Sequence, residues 1–231
     1  MPSLIKKILI RLLRNTAGRY SQEARLSKAK APSDPLELFS DWFDIAKQID
    51  PEHYNAMTLA TADSSAKPSA RMVLLKDFDA HGFVFFTNYS SRKAQELEIN
   101  PHAALDFWWK EPYRQVRIEG TISRLDAAAS DAYFDSRSRG SQLGAWASRQ
   151  SSVLTNRAEL ENKVAYFRNK FKGGNVPRPP FWGGYCLHPT NMDFWQGRQD
   201  RLHDRIHYSL ITTGKQNDHN QTKWRIDRLA P

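Results

Sequence analysis

The sequence predicts a mainly β fold, an antiparallel β-barrel with a few peripheral helices. Strand-like runs follow one another quickly, with short polar turns between them. These strand candidates are not separated by regular helices, which disfavours a doubly wound sheet of the Rossmann type. The chain also lacks GxGxxG and GxxxxGK[ST] motifs, so a phosphate group would have to be bound by another route.

Residues 1–34 are predicted to form a basic N-terminal arm. Apolar residues in this arm follow helical spacing, but Lys6, Lys7 and Arg11 interrupt them, so the segment is not a membrane-spanning helix. A cationic amphipathic helix of this kind fits a membrane surface, an organelle presequence, or an arm packed on its own protein or a partner subunit. We favour the packed arm and predict no stable insertion into a membrane.

The main domain is predicted to span 35–180 and to open with a helix. Asp34 can cap this helix and Pro35 suits its first turn, while Asp50-Pro51 ends it. Alternation and turn residues then predict strands, and apolar spacing and composition predict further helices. The strand candidates are 56–62, 70–76, 82–87, 103–109 and 114–125, and the further helices are 90–99, 126–137 and 156–172.

The C-terminal residues 181–231 return to strand-like runs and are predicted to complete the barrel. A polar loop at 213–222 breaks these runs, and 214–221 has the character of an exposed insertion.

Composition narrows the range of partners. The single cysteine, Cys186, excludes an internal disulfide and fits a cytoplasmic protein. No CxxC, HExxH or Cys/His cluster occurs, so no metal site is predicted. Lys and Arg outnumber Asp and Glu by 34 to 25, a net charge of +9. This excess suggests an anionic partner: nucleic acid, an acidic membrane surface or a phosphorylated small molecule.

Two segments place basic residues at strand or helix ends. RMVLLK, at 71–76, is by itself typical of a core strand with solvated charges beside it. In FFTNYSSRK, at 85–93, a strand ends at Thr87 and a helix begins shortly afterwards. Free backbone N–H groups, hydroxyls and the Arg92-Lys93 pair would then form a phosphate cradle. An ordinary serine cap followed by exposed basic residues fits this segment equally well.

Two further segments carry groups suited to a polar ligand. In AYFDSRSRGSQ, Tyr133, Arg137 and Ser141 are spaced by four, so a helix would align them toward a second phosphate. Gly140 can end that helix, which weakens the case for Ser141. An exposed helix end is the alternative. RQSS, at 149–152, and Gln115 offer side-chain amides that can contact the edge of a heterocycle, although an exposed polar loop explains RQSS as well.

The fifth segment is WQGRQDRLHDR, at 195–205. Arg201, His203 and Arg205 occupy alternate positions, so an extended strand would direct all three side chains to one face. Three potential cations on one face repel each other unless an anion lies between them. The spacing therefore predicts an anion site, with a solvated charged loop as the alternative.

These five segments indicate function only if the fold brings them together. One charge-assisted hydrogen bond contributes about 1.5–3 kcal/mol, and a buried unpaired cation costs more than that. Convergence without an anion would therefore be unfavourable, whereas scattered segments would be harmless. Spacing alone does not decide between these two arrangements.

Taken together, the segments resemble the pyridoxine (pyridoxamine) 5′-phosphate oxidase family, from about Pro35 to the last residue. The matching stretches are RMVLLK, FTNYSSRKAQELEINP, RQVRIEG, YFDSRSRGSQLGAWASRQSS, VPRPPFWGGY, FWQGRQDRLHDR and WRIDRLAP. The resemblance implies a Greek-key-like split β-barrel that binds FMN. It also implies a homodimer with its active sites at the interface, 181–231 contributing to both.

The resemblance also implies which residues bind FMN. One subunit would supply Arg71, Met72, Val73, Leu74, Leu75, Lys76, Phe86, Thr87, Arg92 and Lys93, with the last two on the phosphate. The flavin site would be completed, partly from the other subunit, by Gln115, Gln150, Ser151, Trp195 and Arg205.

For the substrate, the resemblance implies a phosphate site made by Lys76, Tyr133, Arg137 and Ser141. Arg201 and His203, with Leu202 between them, would lie over the pyridine ring as the catalytic residues. The implied reaction oxidises pyridoxamine or pyridoxine 5′-phosphate with O2. It yields pyridoxal 5′-phosphate and hydrogen peroxide, with ammonia from the amine. Nucleic acid is not an expected partner.

The sequence departs from the family pattern at two places. Phe86 stands where many members have tyrosine, and the arm reads AGRY where related enzymes carry a more basic stretch. Three alternatives stand beside the main interpretation: a split-barrel flavin oxidase of phenazine-type biosynthesis, a non-catalytic flavin- or haem-binding module, and a nucleic-acid binder. All the substrate-phosphate and ring-contacting residues are present, which favours the vitamin B6 substrate.

Overall fold

A computed structural model describes residues 25–211 and 223–231, which contain nine β-strands and five α-helices. The strands are β1 (Ala56–Ala62), β2 (Pro68–Leu74), β3 (Asp77–Asp79), β4 (Gly82–Asn88), β5 (His102–Trp109), β6 (Arg114–Arg124), β7 (Trp182–Gln196), β8 (Asp204–Ile211) and β9 (Lys223–Arg228). The helices are α1 (Pro35–Ile49), α2 (Arg92–Ile99), α3 (Ala127–Ser136), α4 (Arg139–Ala147) and α5 (Arg157–Lys170). Most of the predicted basic arm and the predicted insertion at 214–221 lie outside the described residues.

The nine described strands form one curled, antiparallel sheet. Its order is β2-β1-β5-β6-β7-β4-β3, and β8 joins β7 and β9 beside this path. The 15-residue strand β7 pairs with β6 on one side, and on the other with β4 along its first half and with β8 along its second. The C-terminal strands therefore belong to the same sheet as the preceding ones. The mainly β, antiparallel prediction is confirmed.

Helix α1 packs against the inner face of the sheet. The Asp34 carboxylate accepts a hydrogen bond from the Leu36 backbone N–H at 2.9 Å, as the capping prediction requires. Phe39 is fully buried and meets Phe78, Phe83 and the Phe107 ring edge-on or nearly so. Such aromatic pairs contribute beyond the area they bury, so α1 anchors the main core.

A second, smaller core lies under α3 and α4. Phe134, Leu143, Val176 and Trp182 are buried there, separate from the main cluster. The predicted amphipathic helix at 156–172 forms as α5. None of its residues is fully buried, because its contact with the second core is confined to the C-terminal end, where Phe167 is partly buried.

The helix predicted at 126–137 forms as α3, but no single helix aligns Tyr133, Arg137 and Ser141 on one face. Helix α3 ends at Ser136, and Arg137 takes an extended backbone with φ −75° and ψ 150°. Ser138 then caps α4 by accepting from the Ser141 backbone N–H. A hydroxyl-rich run competes for helical hydrogen bonds and favours a cap, which explains the break.

Candidate active site

A cavity of about 1060 Å³ lies between the edge strand β2, strand β4, helices α2 to α4 and the loop that follows α4. Its described lining contains five cationic side chains and no acidic one. The cations are Arg71, Lys76, Arg92, Lys93 and Arg137. Like charges gathered in one concave space repel each other, so this cavity is suited to anions.

Strand β2 contributes most of the residues predicted in RMVLLK. Arg71, Met72, Val73, Leu74 and Lys76 all line the cavity. Leu75 does not: its side chain is buried in the main core, 2% exposed, and its backbone N–H donates to the Asn55 carbonyl at 2.8 Å. The alternative of a flanked core strand therefore describes Leu75, and in part Val73, which packs against the main core as well as lining the cavity.

The β4–α2 connection provides the predicted basic cradle. Helix α2 begins at Arg92 rather than at residue 90, and Ser91 makes no side-chain cap bond. The Lys93 Nζ donates instead to Thr87 Oγ1 at 3.2 Å, to Ser91 Oγ at 3.2 Å and to Gln150 Oε1 at 2.8 Å. The serine-cap alternative is thus wrong for Ser91, whose hydroxyl contacts a lysine.

Lys93 is a buried cation, 7% exposed, whose hydrogen-bond partners are all neutral. Burial, followed by repulsion from Arg71, lowers the pKa of its ammonium group from 10.5 to about 8, although Glu96 partly opposes the change. An anion in the cavity would pair with the Lys93 charge, which has no anionic hydrogen-bond partner among the described residues.

Gln150 and Ser151 from the RQSS segment also line the cavity. Besides its bond from Lys93, Gln150 accepts from Thr87 Oγ1 at 3.2 Å. The Ser151 hydroxyl accepts from the Arg92 backbone N–H at 3.2 Å. The segment is an exposed loop, as the alternative predicts, but its Gln150 and Ser151 side chains also bond to the β4–α2 connection.

A second cationic group lies around Tyr133, and the helix break does not prevent it from forming. Tyr133 stacks on Phe86 at 3.9 Å between ring centroids, and Lys76 Nζ lies 5.9 Å from the Tyr133 ring centroid. The Arg137 guanidinium lies 4.6 Å from the Trp182 ring centroid, and its Nη1 is buried without a hydrogen-bond partner among the described residues. Ser141, Arg137 and Tyr133 all line the cavity.

Burial lowers the pKa of Arg137, although nearby Tyr133 partly opposes the change. A buried guanidinium nitrogen without an acceptor is unfavourable, and an anionic oxygen would satisfy it. Trp182, which stacks in this group, is a site residue that the sequence analysis missed. It lies in VPRPPFWGGY, one of the stretches that match the family, and that match was the signal that could have identified it.

Three predicted flavin contacts lie elsewhere in the same chain. Gln115 on β6 pairs with Trp195 on β7, which pairs with Arg205 on β8. The register therefore aligns three residues from distant parts of the sequence in one row across the sheet. None of the three lines the cavity. Arg205 is held by Asp193, whose Oδ2 accepts from it at 2.5 Å. Asp193 is a second residue that the sequence analysis missed.

The prediction of one strand through Arg201, His203 and Arg205 is wrong. Arg201 lies in a short 3-10 turn, Gln199–Arg201, with a positive φ of 59°, and β8 begins only at Asp204. Leu202 is 71% exposed. The turn places Arg201 and Leu202 at the surface, outside the cavity lining, so alternation along a strand does not group these side chains.

His203 is nevertheless held in a defined orientation. Its ring lies 4.4 Å from the Trp195 ring, centroid to centroid, and its Nδ1 accepts from the Arg198 backbone N–H at 3.0 Å. Because Nδ1 acts as an acceptor, the neutral imidazole carries its proton on Nε2. His203 therefore presents an N–H donor on its Nε2 side.

Comparison with known proteins assigns the chain to a family. Residues 47–171 match the family model described as Pyridoxamine 5'-phosphate oxidase, and 182–231 match Pyridoxine 5'-phosphate oxidase C-terminal dimerisation region. The chain belongs to the pyridoxine/pyridoxamine 5′-phosphate oxidase family. It is therefore an enzyme, and the C-terminal match supports a homodimer.

Relatives named pyridoxine/pyridoxamine 5′-phosphate oxidase align over most of their length. The protein of Rubrobacter xylanophilus is 50% identical over 94% of this chain and 97% of its own. That of Cupriavidus metallidurans is 52% identical over 89% of this chain and 93% of its own.

Solved structures share the fold of this oxidase family member. PhzG from Burkholderia lata, in complex with tetrahydrophenazine-1-carboxylic acid, overlaps with a TM-score of 0.79 at 30% identity, over 90% of this chain and 98% of that one. A pyridoxamine 5′-phosphate oxidase-related, FMN-binding protein from Nostoc punctiforme gives 0.65 at 16% identity, over 87% of this chain and 100% of that one. The predicted split β-barrel class is confirmed. No helix among the described residues is long and apolar enough to span a membrane.

Proposed function

We propose that this family member is an FMN-dependent oxidase. It converts pyridoxine 5′-phosphate and O2, or pyridoxamine 5′-phosphate, O2 and water, into pyridoxal 5′-phosphate and hydrogen peroxide, and the amine substrate also releases ammonia. The observation that carries the proposal is the cavity with five cations and no acid in its described lining. FMN and the substrate each bring a phosphate, and the cations fall into two groups.

The first group fits the FMN phosphate. Arg71, Arg92 and Lys93 lie together at the β2 and α2 side of the cavity, and one carboxylate, Glu96, lies behind them. Three cations and one carboxylate leave a net charge of +2, which matches a phosphate dianion. The hydroxyl of Thr87 and the Gln150 amide complete a polar wall.

The second group fits the substrate phosphate. Lys76 and Arg137 carry the charge, and Tyr133 and Ser141 supply hydroxyls. The buried, unpartnered Nη1 of Arg137 is the donor for which a phosphate oxygen is the natural acceptor. The stacked rings of Phe86, Tyr133 and Trp182 hold this group in place.

FMN, when bound, would accept a hydride from the substrate, and O2 would then reoxidise the reduced flavin. The protein contributes binding and orientation. In a homodimer, we infer, the Gln115–Trp195–Arg205 row and the Arg201–His203 turn of one subunit complete the cavity of the other. Because His203 carries its proton on Nε2, it donates a hydrogen bond to the substrate and does not act as a base through that nitrogen.

A second candidate follows from the PhzG overlap, because that protein was solved with a tricyclic carboxylic acid. The identity to PhzG is 30%, against about 50% to the phosphate oxidases. A carboxylate substrate would also leave the Lys76–Arg137 group only partly neutralised.

The test is anaerobic. The protein is loaded with FMN and mixed with pyridoxamine 5′-phosphate while the flavin absorbance is followed, and air is then admitted. Bleaching, followed by reoxidation with pyridoxal 5′-phosphate and peroxide, is the expected result, and pyridoxamine without the phosphate is the matched control. A flavin that binds but stays oxidised refutes the vitamin B6 substrate. Failure to bind FMN refutes the assignment of this cavity as a flavin site.

A further inference from the structure

Glu96 is a buried carboxylate in contact with two arginines of the cavity. It lies on α2 and is only 4% exposed. Its Oε2 accepts from the hydroxyls of Thr61 and Ser69 and from Arg71 Nη2 at 3.1 Å, and its Oε1 accepts from Arg92 Nε at 2.8 Å. A buried carboxylate is retained in a fold only when it is satisfied in this way.

Glu96 does not line the cavity, whereas both arginines do. Arg71 comes from the edge strand β2 and Arg92 from the first turn of α2, one helical turn before Glu96. One carboxylate thus joins two cations that the sequence places 21 positions apart. The link runs behind the cavity wall, away from any ligand.

This arrangement fixes which arginine nitrogens are available. Arg92 donates through Nε to Glu96, and its terminal nitrogens have no hydrogen-bond partner among the described residues. Arg71 is held differently: its terminal nitrogens donate to Leu59 O, Thr61 Oγ1, Ser69 Oγ and Glu96. Arg71 is therefore a fixed charge, while Arg92 offers a free fork of N–H groups.

We propose that Glu96 is a positioning residue that sets Arg71 and Arg92 for the phosphate of the flavin. It thereby gives the site its preference for FMN over riboflavin. The inference rests on the proposed binding of FMN in this cavity. Burial would raise the pKa of Glu96, but hydrogen bonds from Thr61, Ser69, Arg92 and Arg71 outweigh it and lower the pKa to about 2. The carboxylate is therefore charged at every pH used for assay.

The test is Glu96→Asp, which keeps the charge and shortens the side chain by one methylene. The shorter carboxylate cannot reach both arginines, so alignment is lost while the net charge stays constant. The dissociation constants of FMN and riboflavin are measured by quenching of flavin fluorescence, without turnover. Glu98→Asp is the matched control, because Glu98 lies on the same helix but is exposed and pairs with Arg124.

We expect the Kd of FMN to rise roughly tenfold in Glu96→Asp, the lower end for one charge-assisted hydrogen bond, with riboflavin unchanged. An unchanged ratio of the two constants overturns the inference. A wild-type protein that does not prefer FMN overturns the proposed function instead, so the two failures are distinguishable.

If Glu96→Asp does not fold, Thr61→Val decides. Thr61 contacts Glu96 and Arg71 but does not line the cavity, so its hydroxyl acts on the phosphate only through this network. The ratio of the riboflavin Kd to the FMN Kd should also fall in Thr61→Val, by roughly threefold, a smaller change than in Glu96→Asp because the bonds from Arg71 and Arg92 to Glu96 remain. A ratio equal to that of the wild type contradicts the proposal.

Discussion

Lys93→Met should stabilise the protein without cofactor and at the same time weaken FMN binding. The Lys93 ammonium group is buried among neutral oxygens, which lowers its pKa from 10.5 to about 8. Because the folded-state pKa lies below the unfolded one, the charge opposes folding fully below pH 8. This opposition is relieved as the pH rises from 8 toward 10.5. Methionine has a similar length and no charge.

The size of the stability change follows from the lowered pKa of Lys93. At 1.36 kcal/mol per pH unit, the charge costs the empty protein about 3 kcal/mol at pH 7. Loss of the bonds to Thr87, Ser91 and Gln150 offsets about 1 kcal/mol, because the Gln150 amide is exposed and can turn to water. The net gain in unfolding free energy is therefore about 2 kcal/mol, or roughly 4–8 °C in Tm for a chain of this length.

FMN binding should change in the opposite direction. Removing one charge-assisted hydrogen bond to the phosphate costs about 1.5–3 kcal/mol, so the Kd of FMN should rise roughly 10- to 160-fold. A residue that destabilises the empty fold while binding the ligand is typical of a functional site.

The assay is urea denaturation of the FMN-free protein at pH 7 and pH 10, at one protein concentration, together with FMN titration. The stability gain should be about 2 kcal/mol at pH 7 and close to zero at pH 10, where the wild-type lysine is largely neutral. Lys172→Met, on the exposed surface, is the control and should change neither quantity. A loss of stability at pH 7 in Lys93→Met would refute the reasoning, because it would mean that the buried charge is not penalised.

Three further predictions concern the pH dependence, the substrate group and the core. The wild-type affinity for FMN should fall above about pH 8, by up to tenfold per pH unit, because Lys93 loses its proton there in the FMN-free protein. Fluorescence titration at several pH values measures the affinity, and a Kd that does not change with pH contradicts the prediction. Arg137→Ala should raise KM for pyridoxamine 5′-phosphate by roughly 10- to 160-fold and leave the Kd of FMN unchanged. KM is measured by peroxide formation at varied substrate concentration, and an equal loss of affinity for FMN and substrate would contradict the division of the cations into two groups. Phe39→Ala should lower the free energy of unfolding by about 3–5 kcal/mol in urea, since the ring is fully buried among other aromatic residues; a loss below about 1 kcal/mol would contradict the role of α1 as the core anchor.

Much of the fold could be predicted because it is encoded locally. Strand β1 alternates partly buried and buried positions along all seven residues, and this two-residue period is visible in the sequence. The Asp34-Pro35 pair marked the start of α1 for a similar reason, since a cap and its helix are neighbours in the chain. The end of α3 was predicted to within one residue, but α4 was not predicted as a separate helix, because spacing by four describes one unbroken helix as readily as two short ones.

The candidate site was only partly predictable. The available residue types could be read directly from the chain: five segments that combine basic residues with hydroxyls, amides or aromatic rings, an excess of cations, and motifs that resemble one oxidase family. Tertiary structure decided which of them meet. It brought Arg71, Arg92 and Arg137 to one cavity and placed Gln115, Trp195 and Arg205 in a separate row. It also put Glu96 behind two of the cations. These juxtapositions depend on strand register and on burial, which are set by contacts between residues far apart in the chain, so no local pattern encodes them.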